Sequence, residues 1–257
     1  MKKYSVESRD NKQFRMFHSL TTSKGLKQEG LFILSGPQLV QEFLKKPTLK
    51  INAELISSKM QSLRGADKLL SPELDFPVFS FNTELFNELD VLGTHSPLLV
   101  LEQPSLATWN FDQKISGLHL LCPLGDPGNL GAVLRSAEAF GVEKVILLQE
   151  SAHPFLPKSV KASSGSVCRL PLFKGPSSKQ LPRFQHAELV GLDMKGKKLS
   201  EFQWPKSCYL LVGEEGAGLP NHADLQKISI PTKGVESLNA SIATSLALYD
   251  HALKKSL

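Results

Sequence analysis

Apolar runs of strand length that alternate with helix-like segments limit the folds open to this chain more than any other feature. In the second half, such runs cover residues 118–123, 144–149, 188–192, 208–212 and 228–230. Continuous apolar runs of this length are typical of strands buried on both faces. Their alternation with helices predicts an α/β fold with a mostly parallel sheet.

The first half predicts a smaller α/β domain over residues 1–105. Strand-like runs cover residues 31–34, 50–56, 77–81 and 97–102, and a helix is predicted over 9–20. A further helix begins near Pro37, with Ser35 or Gly36 as its cap. Residues 106–116 have mixed polarity and are predicted to be a linker, which leaves 117–257 as the second domain.

Two helices of the second domain have clear apolar patterns. The first ends near Phe140, with Gly141 just past its end, and Leu130, Val133, Leu134 and Ala137 on one face. The last helix is predicted over residues 237–253. Its apolar residues follow helical spacing, and they are Leu238, Ile242, Leu246, Tyr249 and Leu253.

Composition excludes several classes of protein. No apolar run approaches the roughly 18 residues that cross a bilayer, and no apolar stretch follows the basic N-terminus. The three cysteines, Cys122, Cys168 and Cys208, are sparse and odd in number, which is typical of reduced thiols in a cytoplasmic protein. Histidines and cysteines show no paired zinc-type spacing, so we expect no metal and no membrane association.

The net charge of +5 permits a polyanionic partner. Residues 1–27 hold seven basic residues against two acidic ones, and this group includes Lys12, Arg15, Lys24 and Lys27. A solvated helix face and a nucleic-acid contact explain this excess equally well.

Three polar or glycine-rich segments follow strands, where a parallel sheet binds its ligands. The first, residues 126–141, contains Asn129, Gly131 and Arg135. Glycine near a helix start lets the backbone approach a ligand, and the planar guanidinium of Arg135 suits a phosphate or a ribose. A surface pair between Arg135 and Glu138 explains the arginine as well.

The second segment, residues 210–220, has the spacing G-x-x-G-x-G, which differs from the dinucleotide fingerprint G-x-G-x-x-G. Its adjacent carboxylates suit a hydroxyl-bearing or cationic ligand, and a solvated glycine-rich connection is the alternative. The third segment, residues 228–243, places Ser237 and Asn239 at a predicted helix start. Capping explains either residue but not both.

Taken in order, the three segments resemble the motifs of the SpoU (TrmH-like) RNA methyltransferases. That family has an N-x-G-x-x-x-R opening, a G-x-E-G-x-G loop and an I-P-…-E-S-L-N closing segment. The matching residues are Asn129, Gly131, Arg135, Gly213, Glu215, Gly216, Gly218, Ile230, Pro231, Glu236, Ser237, Leu238 and Asn239. This sequence departs from the family at Thr232, Ala240 and Ser35, and its third segment is one residue shorter.

The resemblance implies a trefoil-knotted (SPOUT) α/β domain after a ribosomal-protein-like substrate-binding domain. It implies S-adenosylmethionine as cofactor, a homodimer, and methylation of a ribose 2′-hydroxyl in RNA. The implied cofactor-binding residues are Leu192, Gly213, Gly218, Ile230 and Leu238. The implied catalytic residues are Arg135, which positions and stabilises, together with Asn129, Glu215, Ser237 and Asn239.

We expect RNA to bind the N-terminal basic residues, named above, through salt-sensitive phosphate contacts. Ribosomal RNA is the favoured substrate, because the chain has a separate N-terminal domain. Transfer RNA is the alternative substrate, and a catalytically silent RNA-binding protein is the alternative function. An ordinary dinucleotide enzyme is disfavoured because residues 126–131 lack its fingerprint.

Overall fold

The computed structural model describes residues 2–60, 62–63, 76–213 and 218–255. The chain divides into two compact units. The first comprises residues 1–105 and 155–168, and the second comprises residues 106–154 and 169–257. None of the described helices has the length and apolar character that crossing a membrane requires.

The first unit contains a mixed five-stranded sheet in the order β1-β4-β3-β5-β2. These strands are β1 (Lys3–Val6), β2 (Leu31–Leu34), β3 (Ile51–Ser57), β4 (Val78–Phe81) and β5 (Leu98–Glu102). β1, β3 and β4 run parallel, and β5 is antiparallel to its neighbours β2 and β3. Aromatic side chains from helix and sheet interlock in its core, where the rings of Phe17 and Phe79 lie 5.0 Å apart.

Five described helices belong to the first unit, and each begins where the sequence supplies a cap or a proline. They are α1 (Lys12–Ser19), α2 (Ser23–Glu29), α3 (Pro37–Lys45), α4 (Thr83–Leu89) and α6 (Pro157–Ala162). Asn11, Thr22 and Asn82 accept backbone N–H bonds at the starts of α1, α2 and α4. Gly36 precedes α3 and Pro37 is its first residue, as predicted.

The second unit contains a six-stranded sheet in the order β11-β9-β10-β6-β7-β8, and every pairing in it is parallel. Its strands are β6 (Gly117–Cys122), β7 (Lys144–Leu147), β8 (Leu172–Lys174), β9 (Glu188–Lys198), β10 (Ser207–Leu211) and β11 (Leu225–Ser229). Its α-helices in the described residues are α5 (Pro127–Ala139) and α7 (Ala240–Lys255). The expected burial of Leu130, Val133, Leu134 and Ala137 on α5 is confirmed.

Two segments belong to different units than we expected. Residues 106–116, predicted to be a linker, pack in the second unit, where Trp109 is buried and its Nε1 donates to Tyr209 Oη at 3.0 Å. Residues 155–168, predicted to lie in the second domain, pack in the first unit. There the ring of Phe155 lies 4.8 Å from that of Phe32. In both segments an aromatic anchor decides the placement.

The last helix also differs from the prediction. α7 begins at Ala240 rather than at Ser237, and its buried face is formed by Ser241, Thr244, Ala247, Leu248 and His251. The apolar residues that the sequence pattern picked out lie on the other face, and Ile242, Leu246, Tyr249 and Leu253 are exposed by 53%, 41%, 52% and 50%.

A buried histidine in the second sheet predicts acid sensitivity. His119 on β6 is 3% exposed, and its Nδ1 has no hydrogen-bond partner among the residues that the structure describes. Burial, with a smaller contribution from the charge of Lys144, lowers the pKa of His119 from 6.5 to about 4. The unfolded chain therefore takes up a proton at a pH where the folded chain does not.

The stabilisation from neutral His119 is complete above pH 6.5 and is lost as the pH falls towards 4. We expect the free energy of unfolding to drop by about 2 kcal/mol between pH 7 and pH 5. Urea unfolding of wild type and His119→Leu measures this loss. In the variant, the free energy of unfolding should depend less steeply on pH. The pH dependence that remains is assigned to His251, because burial lowers the pKa of this histidine as well. Equal slopes for both proteins would contradict the assignment.

Candidate active site

The candidate site lies at one edge of the second sheet. β11, β9, β10 and β6 are adjacent and parallel, so their carboxyl ends meet at the same edge. The three motif segments of the sequence follow β6, β10 and β11. The structure therefore brings together segments that are separated by up to a hundred residues in the chain, as a parallel sheet does at its binding edge.

The first segment begins α5. The Asp126 side chain caps this helix, since its Oδ1 accepts a hydrogen bond from Asn129 N at 2.8 Å. Pro127 is the first helical residue, which suits its fixed backbone angle. Sequence reasoning missed the role of Asp126. An acidic residue directly before proline at a helix start is the signal that could have found it.

Asn239 joins the third segment to the first. Its Oδ1 accepts from Ser241 N at 2.9 Å and from Ser241 Oγ at 2.6 Å, so Asn239 caps α7. Its Nδ2 donates to Asn129 Oδ1 at 3.2 Å. N-capping, the alternative that the sequence offered for Asn239, therefore occurs. The contact between the two asparagines also joins the start of α5 to the start of α7.

Ser237 lies outside this contact. It is exposed and precedes the start of α7 by three positions, so it does not cap the helix. Leu238 is half-buried beside Asn239, and Ile230 is half-buried directly after β11. Both residues lie on the connection from β11 to α7, where the motif predicted them.

The loop after β10 folds back on itself. A Cβ placed on Gly213 would meet only backbone atoms of Gly218, at 3.7–3.9 Å, which is ordinary van der Waals contact. Gly218 has φ +71°, a conformation that favours glycine. Among the described residues, therefore, neither packing nor a positive φ requires glycine at position 213, whereas close approach of a ligand to the backbone would. Glu215 and Gly216 lie outside the described residues.

Leu192 lies beside this loop. Gly191 on β9 pairs with Leu211 on β10, so the next residues, Leu192 and Val212, lie at the same level along the two parallel chains. The residue is half-buried. The predicted neighbourhood of Leu192 and Gly213 is thus a consequence of strand register.

Arg135 is exposed on α5 and is available to a ligand. It makes no ion pair with any residue in the described ranges. The alternative pair with Glu138 does not form, because Glu138 binds Arg169 through two hydrogen bonds of 2.6 and 2.8 Å. A guanidinium without an ion-pair partner among the described residues has donors to offer a phosphate or a ribose.

The predicted RNA-binding residues are exposed on the first two helices of the first unit. Lys12 and Arg15 belong to α1, and Lys24 and Lys27 belong to α2. Arg15 forms an ion pair with Asp10, which reduces its net charge contribution. Within the described ranges, no group of three or more histidine, cysteine or acidic residues could hold a metal ion. None of the three cysteines forms a disulfide bond.

The family model described as the SpoU rRNA Methylase family matches residues 119–249. The chain belongs to the SpoU rRNA methylase family. This span contains all three motif segments, so the resemblance predicted from them is confirmed. The α/β fold class with a mostly parallel second sheet is confirmed as well, whereas the trefoil knot stays a prediction.

Two named relatives show similarity along 95% of this chain. "Ribosomal RNA small subunit methyltransferase G 2" of Syntrophobacter fumaroxidans is 37% identical over 95% of this chain, which spans only 48% of that relative. "23S rRNA (guanosine(2553)-2'-O)-methyltransferase RlmP" of Bacillus subtilis is 26% identical, with 95% of this chain and 97% of the relative covered.

A solved SpoU-like fold supports the architecture. The AdoMet-bound rRNA methyltransferase from Sinorhizobium meliloti matches with a TM-score of 0.78 at 24% identity, and the match covers 97% of both chains. At this identity the likeness concerns the fold alone.

Proposed function

We propose that this chain transfers the methyl group of S-adenosylmethionine to a ribose 2′-hydroxyl of RNA, and that the RNA is ribosomal. The observation that carries the proposal is the unpaired, exposed guanidinium of Arg135 on the helix that opens the SpoU motif set. The second unit is the transfer domain in this proposal, and the first unit binds the RNA. The names of the two relatives, both ribosomal RNA methyltransferases, support ribosomal RNA over transfer RNA.

The loops at the carboxyl edge of the second sheet suit the cofactor. Gly213 offers backbone for which packing against the described residues does not require glycine. Leu192 lies on the adjacent strand β9, and Ile230 follows β11, the strand beyond β9. Gly218 and Leu238 complete the proposed cofactor-binding set on the two following connections. When bound, S-adenosylmethionine supplies an electrophilic methyl group on a sulfonium sulfur.

The polar residues beside these loops hold the nucleophile. A new bond forms between the ribose 2′-oxygen and the methyl carbon, the carbon–sulfur bond breaks, and the hydroxyl proton leaves. Arg135 donates to the ribose or its phosphate and so aligns the 2′-oxygen with the methyl group. Alignment of reactants lowers the activation barrier by as much as about 7–11 kcal/mol in well-oriented reactions. Because a guanidinium cannot accept a proton, Arg135 is not the base.

The linked asparagines form the floor of this polar site. Asn239 Nδ2 donates to Asn129 Oδ1 at 3.2 Å, which brings the two amides together at the starts of α5 and α7. We assign Glu215 and Ser237 to the same polar set on the motif match alone. In this assignment Glu215 holds Arg135 or accepts a hydrogen bond from the substrate.

RNA binding in this proposal uses the exposed cations of α1 and α2. Lys12, Lys24 and Lys27 contact phosphates, and Arg15 adds a weaker contact because Asp10 competes for it. Each phosphate contact releases counterions, so affinity falls as salt rises. A cytoplasmic location is part of the proposal, because the sparse free cysteines and an RNA substrate both suit a reducing compartment.

The exposed stripe of α7 supports a homodimer. Ile242, Leu246, Tyr249 and Leu253 recur at helical spacing, and the first three of them border a groove of about 360 Å³ between α5 and α7. The groove wall adds Ala132 and Phe140, and the stripe itself has no charge. An uncharged stripe next to an apolar groove is complementary to a second copy related by a two-fold axis.

We expect Leu246→Glu to weaken dimerisation by at least about 30-fold, the effect of ~2 kcal/mol, because it buries an unpaired carboxylate in the interface. Sedimentation velocity at several protein concentrations measures this change. The matched control is Val91→Glu, since Val91 is an exposed apolar residue of the first unit. A wild type that stays monomeric at micromolar concentration would refute the dimer.

The test of the proposed function is transfer of labelled methyl from S-adenosylmethionine to total RNA from a strain that lacks this protein. Label in the ribosomal fraction, with linkages resistant to alkali, is the expected result, since a 2′-O-methyl group blocks alkaline cleavage. Label in transfer RNA would replace the substrate but keep the reaction. If the protein binds RNA but does not bind the cofactor and transfers no label, it is the catalytically silent RNA-binding protein instead.

A further inference from the structure

β9 makes a five-residue excursion beside the candidate site. On the edge strand β11, Lys227 lies opposite Gly191, and the next residue, Ile228, lies opposite Lys197. Residues 192–196 of β9 therefore have no paired residue on β11, because the two residues of β11 on either side of the shift, Lys227 and Ile228, are consecutive. An insertion of this size leaves the sheet as a turn and redirects its side chains.

Contacts on every side fix the shape of this turn. Asp193 Oδ1 accepts from Lys195 N at 2.9 Å, and Asp193 Oδ2 lies 2.8 Å from Lys227 Nζ. The hydrogen bond from Lys227 holds the pKa of Asp193 below its usual value, so the carboxylate stays charged. At the far end, Ser229 Oγ donates to Gly196 O at 2.8 Å.

Gly196 closes the turn against the backbone of β11. A Cβ at this position would lie 2.5 Å from Ile228 N and from Ile228 C, which is too close for any other residue. The turn is thus a rigid projection of the sheet, and the shape of residues 193–195 is set before any ligand arrives.

The tip of the turn presents an apolar side chain and a cation. Met194 is 61% exposed, the highest value among the large apolar side chains that the structure describes. Lys195 is exposed beside it, and Lys197 and Lys198 follow on the same strand. A single exposed methionine is common on protein surfaces. A turn that presents an exposed methionine next to several lysines has the composition of a nucleic-acid contact.

The base of the turn adjoins the proposed cofactor loops. Leu192 is the first residue of the excursion, and two residues of chain span at most about 7 Å. Ile228 and Ser229, which hold the other side, lead directly to Ile230. The tip of this turn therefore lies within a short length of chain of the loops at which the proposed transfer takes place.

We infer that residues 193–195 form a substrate-contacting turn, in which Met194 packs on an unpaired base next to the methylated ribose and Lys195 binds the adjoining phosphate. The inference rests on the proposed function. Unstacked bases of single-stranded RNA offer flat faces to side chains, and the polarisable methionine sulfur attracts aromatic rings. Asp193 and Lys227 are positioning residues for this contact.

Steady-state methyl transfer by Met194→Ala and Lys195→Ala tests the turn, with the RNA fraction that wild type labels as substrate. We expect Met194→Ala to raise KM for RNA about 2- to 10-fold with kcat unchanged. Met194→Leu should restore much of the loss, because it keeps the apolar bulk. Lys195→Ala should reduce the slope of log affinity against log salt by about 0.7 to 1.

Matched controls separate this contact from general effects. Lys179→Ala removes an exposed lysine that follows β8 at the opposite edge of the sheet, and Val91→Ala truncates an exposed apolar residue of the first unit. Both controls should keep the wild-type KM and salt slope. Calorimetric affinity for S-adenosylmethionine should be unchanged in every variant.

Two results would overturn the turn alone. The first is a wild-type KM and salt slope in both tip variants, and the second is a loss of cofactor affinity that parallels the rise in KM. In either case wild-type labelling still establishes the proposed function. If wild type labels no RNA, the proposed function fails and the substrate-contacting turn fails with it.

Discussion

Arg135→Ala is expected to lower kcat by about 10²- to 10³-fold while the affinity for S-adenosylmethionine stays within twofold of wild type. The side chain is exposed on α5 and makes no ion pair with a described residue, so its removal leaves the packing of the second unit intact. What it removes is the donor that aligns the ribose oxygen and stabilises charge in the transition state. Single-turnover transfer and calorimetry measure the two quantities separately.

Two further substitutions sharpen this test. Arg135→Lys keeps the charge but loses the planar fork of donors, so it should recover only part of the rate. Arg183→Ala removes an exposed arginine from the connection between β8 and β9, and it should leave kcat unchanged. Loss of cofactor affinity in step with the rate in Arg135→Ala would sink the assigned role. Normal RNA binding without transfer would exclude the silent RNA-binding protein.

Local signals in the sequence were sufficient for five of the six strands of the second sheet, all except β8, and for α5. Long apolar runs predicted the strands, and Asp126, Pro127 and Gly141 surround an apolar stripe that the structure buries. The elements that the sequence reasoning missed are short or polar. They are β1, α2, α4, α6 and β8, and α2 buries only Gly25 and Leu26. Tertiary contacts, not local periodicity, stabilise such segments.

The last helix shows why a correct pattern does not give the buried face. Ile242, Leu246 and Tyr249 have ideal helical spacing, yet the chain packs the smaller residues of α7 against α5, where Ser136 and Ser245 lie 2.6 Å apart. Periodicity reports an apolar stripe but not what covers it. Small residues allow close helix packing within the chain, which leaves the larger ones for another surface.

The motif match predicts the residues of the candidate site but not their geometry. The motif match supplied Asn129, Arg135 and Asn239, and only the structure shows that the two asparagines are in contact. The five-residue excursion of β9 was invisible in sequence, because residues 188–198 contain no turn signal stronger than two glycines. Register is a property of the strand pair, so a single strand's sequence does not reveal it.

Gly213→Val is expected to have the opposite profile to Arg135→Ala. Bulk on the loop after β10 should weaken cofactor binding about 100-fold, equal to ~2.7 kcal/mol, because the bare backbone at this position is where the ligand approaches. The fold should tolerate the change, since the first added carbon meets only Gly218 backbone at 3.7–3.9 Å. Gly213→Ala should give a smaller loss, and RNA affinity should be retained in both.

Gly141→Ala is the matched control for this loop. Gly141 ends α5 with φ +69° and has open space around it, so a methyl group there strains the backbone without touching a ligand. It should cost about 1 kcal/mol of stability and leave cofactor affinity unchanged. The two substitutions thus distinguish two reasons for a glycine. Gly213 is expected to leave room for a ligand, whereas Gly141 is needed only for its positive φ. Unchanged calorimetric affinity in Gly213→Val would refute the loop placement, because neither packing against the described residues nor a positive φ requires glycine at this position.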